Sequence, residues 1–125
     1  MMDRPNSIHI IADFCNCPVN LLESGKVGEE ILKRTVKESS LNSIFIRYHQ
    51  FSPAGYTAAA LLTESHITLH SWPEHKSVQV DIFTCGNHNK AKKAYEILKG
   101  IFLPGSFSEK ILYRQLDKIV QEDVN

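Results

Sequence analysis

The sequence predicts an α+β fold, a two-layer sandwich in which two helices pack on one face of a mainly antiparallel sheet. Three observations lead to this class. Segments with alternating apolar residues outnumber helical segments, several of them follow one another in mid-chain, and only two segments have helical spacing. The 125 residues suffice for one domain, and we assign residues 1–125 to it.

The first part of the chain predicts a strand, a helix and a second strand. Residues 7–14 are apolar and β-branched, which is typical of a strand. Residues 26–39 carry apolar side chains at helical spacing with charged residues between them, which predicts an amphipathic helix. Residues 42–51 alternate again, and Pro53 and Gly55 then end this strand.

The second part predicts three short strands, a helix and a last strand. In chain order these are residues 56–63, 67–72, 77–84, 90–102 and 108–116. A turn at residues 73–76 joins two of the strands as a hairpin. Neither helix follows a glycine-rich phosphate loop, so the pattern does not favour a nucleotide-binding fold.

The composition argues against several classes of protein. Fourteen Lys and Arg balance fourteen Asp and Glu, whereas proteins that coat nucleic acids or membrane surfaces usually carry a basic excess. No apolar run approaches the roughly 20 residues of a membrane span, and the first residues lack a signal segment. Three cysteines are an odd number, which does not make a disulfide framework. We therefore expect a cytoplasmic protein that binds neither nucleic acid nor membrane.

The chemistry-bearing residues concentrate around one hairpin. Three of the six histidines fall within residues 66–75. If the hairpin is centred near residue 75, antiparallel pairing places Ser65 opposite Cys85 and His70 opposite Val80. A hydroxyl and a thiol twenty residues apart in sequence would then be close neighbours.

Three interpretations of this hairpin remain open from the residues alone. In a metal site, His66, His70 and Cys85 would be ligands, but on a strand the two histidines lie about 13 Å apart, at roughly 3.3 Å per residue. A hydrolase would use a Cys85–His70 or Ser65–His70 pair, although no nucleophile elbow or orienting carboxylate is evident. The third interpretation is an inert pair of strands with histidines on the surface.

Longer blocks of sequence then point to a family. ESHITLHSWPE at residues 64–74 and DIFTCG at residues 81–86 closely resemble the small prokaryotic-type S-adenosylmethionine decarboxylases. HQFSPAG at residues 49–55 and ADFCNC at residues 12–17 fit the same family. The resemblance covers about residues 7–116, with the same order of elements, and it implies a lyase that makes its own cofactor.

The resemblance implies a specific cleavage of the chain. The Ser65 hydroxyl would attack the carbonyl of Glu64, and elimination and hydrolysis would convert Ser65 into a pyruvoyl group. The products would be residues 1–64, the β chain, and residues 65–125, the α chain. The pyruvoyl group would bind the substrate amine as a Schiff base and accept electrons during decarboxylation, and no metal is implied.

The resemblance also assigns roles to further residues. His70 matches the proton acceptor in processing, and Cys85 matches the proton donor in catalysis. Phe51 matches an aromatic residue that stacks on the adenine of the substrate, and Glu74 matches an acid that accepts ribose hydroxyls. Thr57 stands where the family usually has a serine that assists processing, so its hydroxyl would take that part.

The implied function is decarboxylation of S-adenosylmethionine, which gives the aminopropyl donor for spermidine synthesis, by a homodimer of cleaved protomers. Two alternatives stay open. A pyruvoyl-dependent arginine or ornithine decarboxylase would use the same chemistry on the same fold. A non-catalytic, uncleaved regulatory subunit would need none of Ser65, His70 and Cys85, so their joint presence argues against it.

Overall fold

The structure, a computed structural model, describes residues 6–122 and contains two helices and one sheet of seven strands. The elements in chain order are β1 Ser7–Cys15, α1 Gly25–Glu38, β2 Ser43–Gln50, β3 Tyr56–Leu62, β4 Ser65–Trp72, β5 Ser77–Thr84, α2 His88–Phe102, β6 Ser106–Arg114 and β7 Ile119–Gln121. The strand order is β2-β3-β4-β5-β1-β6-β7, and every neighbouring pair is antiparallel. Within the described residues, neither helix is long and apolar enough to cross a membrane.

Both helices cover the same face of the sheet, which confirms the predicted two-layer α+β sandwich. Helix α1 packs on β2 and β3, helix α2 packs on β1 and β5, and the two helices touch each other. The predicted inward side of α2 is confirmed, since Ala91, Ala94, Tyr95 and Leu98 are all buried. We call the uncovered side of the sheet the open face.

Helix α1 approaches the sheet closely at a glycine. A Cβ atom on Gly28 would collide with the ring of Tyr56, so only glycine leaves room for that ring. The ring is fully buried, and its hydroxyl donates a hydrogen bond of 2.8 Å to the carbonyl of Leu21. The start of β3 is therefore fixed from the covered face, and the next residue, Thr57, points to the open face.

The β4–β5 hairpin differs by one residue from the predicted register. Ser65 lies opposite Thr84 and not opposite Cys85. The reason is the length of the turn, because Trp72 pairs with Ser77 and leaves an even number of residues between the strands. A loop with an even number of residues moves the centre of the hairpin by half a residue. The partner of each residue on β4 therefore changes by one position on β5.

The same shift corrects the position of His70, which lies opposite Gln79 and not opposite Val80. The turn is tight because Pro73–His75 forms one turn of 3-10 helix. Lys76 then reverses the chain in the left-handed region, with φ of 52°. The predicted turn at these residues is confirmed, and only its register was wrong.

Further differences from the prediction include the bounds of β4 and β6, the start of α2 and an additional strand. Helix α2 begins at His88, earlier than predicted, because the side chain of Asn87 caps it and accepts the backbone N–H of Lys90 at 3.1 Å. Strand β7 was not predicted, since Ile119–Gln121 is too short to show an alternating pattern.

Candidate active site

The predicted site residues fall at the two ends of β4. At its first residue, Ser65 points to the covered face and is only 8% exposed. Its hydroxyl donates a hydrogen bond of 2.7 Å to the hydroxyl of Thr84 on β5. We call this region the Ser65 end of β4, and the region around His70, near the other end of the strand, the His70 end.

The backbone carbonyl of Glu64 is the centre of the Ser65 end. It accepts the backbone N–H of Cys85 at 2.9 Å and lies 3.2 Å from the Sγ of the same residue. The Thr84 hydroxyl approaches it at 3.4 Å. Donors arranged in this way stabilise negative charge on a carbonyl oxygen when a nucleophile attacks its carbon. The attacking group that the chain offers is the adjacent Ser65 hydroxyl.

Thr84 is a candidate site residue that the sequence reasoning missed. Its side chain is 1% exposed, and its oxygen accepts hydrogen bonds from the Ser65 hydroxyl and from the N–H of Gly86, the latter at 2.9 Å. Its own proton is left to donate towards the Glu64 carbonyl. The signal for it was present, because Thr84 stands directly before Cys85 in the quoted block.

Glycine at position 86 leaves room for the side chain of Glu64. A Cβ atom on Gly86 would collide with the carboxylate of Glu64. The close approach lets the Glu64 side chain fold over the loop that follows β5, where Cys85 lies. The cavity at this end of the strand has a volume of only about 80 Å³.

The His70 end is open and contains the other predicted residues together. A cavity of about 440 Å³ is lined by Phe51, Thr57, His70 and Glu74. Cavities of this size accommodate small organic ligands. The structure therefore brings four of the predicted residues to one cavity, although the sequence separates them by up to 23 positions.

His70 and Thr57 are hydrogen-bonded neighbours on the open face. The Thr57 Oγ1 atom lies 3.2 Å from His70 Nδ1, across the β3–β4 pair. Such a contact fixes the orientation of the imidazole and leaves Nε2 pointing away from the threonine. The hydroxyl of Thr57 therefore occupies a position from which it can support the histidine.

The structure does not bring Ser65 and His70 together within one chain. Side chains alternate along β4, with Ser65 on the covered face and His70 on the open face. They are five positions apart, which is about 16 Å at roughly 3.3 Å per residue. The imidazole of His70 cannot reach the α-proton of Ser65 in the same chain.

The three cysteines are free and differ in exposure. Cys85 is exposed at the Ser65 end, Cys15 is half-buried, and Cys17 is buried. Burial raises the pKa of Cys17 to about 11, and the nearby Cys15 adds to the effect. Cys17 therefore stays a thiol at neutral pH, which suits a structural residue rather than a nucleophile.

Fold and site together define a small α+β protein in which a serine hydroxyl is held beside a hydrogen-bonded carbonyl of the preceding residue. Comparison with known proteins gives the family. A family model described as S-adenosylmethionine decarboxylase matches residues 8–115. The chain belongs to the S-adenosylmethionine decarboxylase family, a family of decarboxylases.

Individual relatives match over most of their length. The S-adenosylmethionine decarboxylase proenzyme of Hydrogenobaculum sp. strain Y04AAS1 is 36% identical over 113 residues, which is 90% of this chain and 84% of that protein. The proenzyme of Archaeoglobus fulgidus is 36% identical over 106 residues, 85% of this chain and 95% of that protein. The crystal structure of the adenosylmethionine decarboxylase from Aquifex aeolicus VF5 superposes with a TM-score of 0.86 at 31% identity, covering 98% of this chain and 99% of that one.

Proposed function

We propose that this chain is a self-processing, pyruvoyl-dependent decarboxylase of S-adenosylmethionine, cleaved between Glu64 and Ser65. One observation carries the proposal. The Glu64 carbonyl is held by the N–H of Cys85 while the neighbouring Ser65 hydroxyl is held by Thr84. The Cys85 contact continues the hydrogen-bonding pattern of the β4–β5 pair, and the hydroxyl contact of Thr84 is additional to that pattern. Together they supply the polarised carbonyl and the oriented hydroxyl that a self-cleaving peptide bond needs.

The first step is an acyl shift within the chain. The Ser65 oxygen bonds to the Glu64 carbonyl carbon, the hydroxyl proton passes to the peptide nitrogen, the C–N bond between these residues breaks, and an ester with a free amine results. Negative charge develops on the Glu64 oxygen, where the Cys85 N–H donates at 2.9 Å. Removing one such donor from an acyl-transfer site typically slows it about 10²–10³-fold.

The second step releases the upstream chain. A base takes the α-proton of residue 65, and the Cβ–O bond of the ester breaks. The leaving group is the new C-terminal carboxylate of residues 1–64, which was the main-chain carbonyl of Glu64. Water then adds to the remaining unsaturated residue and ammonia leaves, which gives a pyruvoyl group at position 65. We assign the base to His70, in line with the family resemblance.

A second copy of the chain supplies that base in this proposal. His70 lies about 16 Å from Ser65 along β4 and on the other face, at roughly 3.3 Å per residue. A two-fold axis between two open faces would set the His70 end of one copy near the Ser65 end of the other, twice per dimer. A homodimer of cleaved protomers follows, with each site shared.

The open face has the character of an interface. Large apolar side chains on it are exposed by 37–47%, namely Ile11, Phe45, Leu61 and Trp72. Monomers seldom leave such a broad apolar face uncovered. Covering it with a second copy also encloses the cavity at the His70 end.

Turnover uses residues from both ends. The pyruvoyl group supplies a ketone that accepts electrons from the substrate as carbon dioxide leaves. The thiol of Cys85, exposed and adjacent to residue 65, donates the proton to the product carbon. Phe51, 48% exposed, offers a ring face to adenine and the sulfonium, and the carboxylate of Glu74 accepts ribose hydroxyls.

The proposal places the enzyme in the cytoplasm, where its three free cysteines stay reduced. Its product would serve as an aminopropyl donor for spermidine. The same pyruvoyl chemistry acts on other amino acids, so the substrate is decided by the cavity at the His70 end.

The test is a combined mass and substrate assay on the purified protein. We expect two fragments, residues 1–64 and residues 65–125, the second starting with a pyruvoyl group that reacts with phenylhydrazine. Carbon dioxide release is then measured in parallel from S-adenosylmethionine, arginine and ornithine, and we expect it only from the first. A full-length chain with intact Ser65 would refute self-processing, and release from arginine or ornithine alone would refute the substrate.

A further inference from the structure

A cluster of four side chains lies on the open face directly behind the Ser65 end. His66 follows Ser65, and its ring stacks on Phe83 with centroids 5.5 Å apart and planes 18° apart. Its Nε2 atom lies 3.6 Å from Oδ2 of Asp81. The other carboxylate oxygen of Asp81 accepts a hydrogen bond from Nε2 of His9. We call these four residues the His66 cluster.

The cluster is itself supported on several sides. The ring of Phe83 also meets His9 edge-on, with centroids 5.6 Å apart and planes at 85°, and the guanidinium of Arg114 lies 5.2 Å from its centre. These residues come from four adjacent strands, β4, β5, β1 and β6. A side chain held by neighbours on rigid strands has little freedom of its own.

The intact chain restrains residue 65 in two ways that do not survive processing. The first is the peptide bond to Glu64, whose carbonyl is tied to Cys85. The second is the hydrogen bond from the Ser65 hydroxyl to Thr84. Cleavage removes the first, and conversion of the hydroxyl carbon into a methyl group next to a ketone removes the second.

After processing, the nearest anchored side chain is therefore that of His66. We propose that His66 is a positioning residue that holds the new chain end, and with it the pyruvoyl ketone, through its stack on Phe83 and its contact with the carboxylate of Asp81. This inference rests on the proposed function. His66 does not touch the reacting atoms, and it acts through the backbone that joins it to residue 65.

The variant His66→Ala separates this role from processing. Cleavage should proceed at a rate within about threefold of wild type, because both restraints of the intact chain remain. The kcat of the processed enzyme should fall by about 10- to 100-fold at nearly unchanged KM, since a misplacement of about 1 Å at a reacting group costs rates of that order.

Two further variants each keep one anchor. His66→Phe keeps the stack on Phe83, and Asp81→Asn leaves the stack but removes the charge. We expect each to hold kcat within about fivefold of wild type. Thr68→Ala is the matched control, because Thr68 lies on the same strand and the same face two residues further on. Its kcat should not change.

A readout independent of turnover is hydrogen exchange in the processed protein. The amides at the start of the 65–125 chain should exchange faster in His66→Ala than in wild type and Thr68→Ala. Size-exclusion chromatography at working concentration should give the same assembly for all variants. A change of assembly in His66→Ala, or a kcat of His66→Phe as low as that of His66→Ala, would overturn the positioning role.

The outcomes distinguish this inference from the function on which it rests. A wild-type chain that stays uncleaved refutes the proposed function, and the positioning role with it. A wild type that cleaves and decarboxylates, together with His66→Ala that keeps kcat within twofold, refutes the positioning role alone. Loss of cleavage in His66→Ala also refutes it, because the cluster would then act before the chain end exists.

Discussion

The two ends of β4 differ in almost every physical respect. At the Ser65 end, the groups that matter are buried and hydrogen-bonded to one another, with Ser65 8% and Thr84 1% exposed. At the His70 end, the histidine is exposed and the aromatic residue Phe51 is 48% exposed beside an open cavity. The Ser65 end is buried within the chain, and the His70 end is open to solvent.

The difference follows from what each end does in the proposed reaction. Cleavage of a peptide bond within the chain needs its reacting groups held in place and needs no space for a separate substrate. The cavity at the Ser65 end is only about 80 Å³. Binding a nucleoside-sized substrate needs room, and the cavity at the His70 end is about 440 Å³. The comparison predicts that the two ends respond differently to substitution.

The largest expected effect is at the cleavage residue itself. Ser65→Ala removes the attacking hydroxyl, so cleavage and carbon dioxide release should both fall below detection. Mass spectrometry of the purified chain measures the first, and trapped carbon dioxide measures the second. Ser39→Ala is the control, because Ser39 is also buried and hydrogen-bonded, to the Thr35 carbonyl at 2.7 Å, but lies directly after the end of α1. Fragments of Ser65→Ala cut before residue 65 would contradict the account.

The next effect concerns the thiol beside the carbonyl. Cys85→Ala keeps the backbone N–H that bonds to the Glu64 carbonyl at 2.9 Å, so we expect cleavage within about tenfold of wild type. Turnover loses its proton donor and should fall by about 10²–10⁴-fold, the usual contribution of a general acid. The rate of fragment formation measures the effect on cleavage, and the rate of carbon dioxide release measures the effect on turnover. Equal losses in both would show that the thiol acts in cleavage.

A smaller effect is expected at Thr84, which orients the Ser65 hydroxyl. Thr84→Val keeps the shape of the side chain but leaves that hydroxyl without its 2.7 Å partner. Cleavage should slow by about tenfold, which corresponds to one hydrogen bond of about 1.4 kcal/mol. Thr84→Ser restores the hydroxyl and should restore the rate. A Thr84→Val variant that cleaves as fast as wild type would show that Thr84 does not orient the Ser65 hydroxyl.

The smallest effect is expected at the exposed end. Thr57→Val removes the contact of 3.2 Å with His70 Nδ1, and cleavage should slow by about threefold, because an exposed hydrogen bond contributes little. Thr57→Ser keeps the hydroxyl and should match wild type. The measurement is the time course of fragment formation. A slower serine variant would show that the methyl group, and not the hydroxyl, is important.

Much of the fold could be predicted because alternation and helical spacing report burial directly. The buried residues of β5 and the inward side of α2 follow from such spacing. The register of the β4–β5 hairpin could not be predicted to a single residue. It depends on the turn at Pro73–His75 and on the left-handed conformation of Lys76, which no alternation pattern encodes.

The sequence predicted candidate residues for the active site but not how they are arranged in space. The sequence blocks predicted Ser65, His70 and Cys85 as site residues, and in the structure the Sγ of Cys85 lies 3.2 Å from the carbonyl of Glu64. The separation of Ser65 from His70 by a face of the sheet followed from the odd spacing between them, once β4 was known to start at Ser65. Thr84 stood in the sequence block before Cys85, but its position opposite Ser65 follows only from the corrected register.

The most direct test of the account mixes two inactive variants. His70→Ala keeps Ser65, and Ser65→Ala keeps His70, so neither chain alone should cleave. After the two are unfolded together and refolded as mixed dimers, the His70→Ala chain should be cut before Ser65, with both fragments seen by intact mass. Cleavage of His70→Ala on its own, or none in confirmed mixed dimers, would contradict a site shared between two copies.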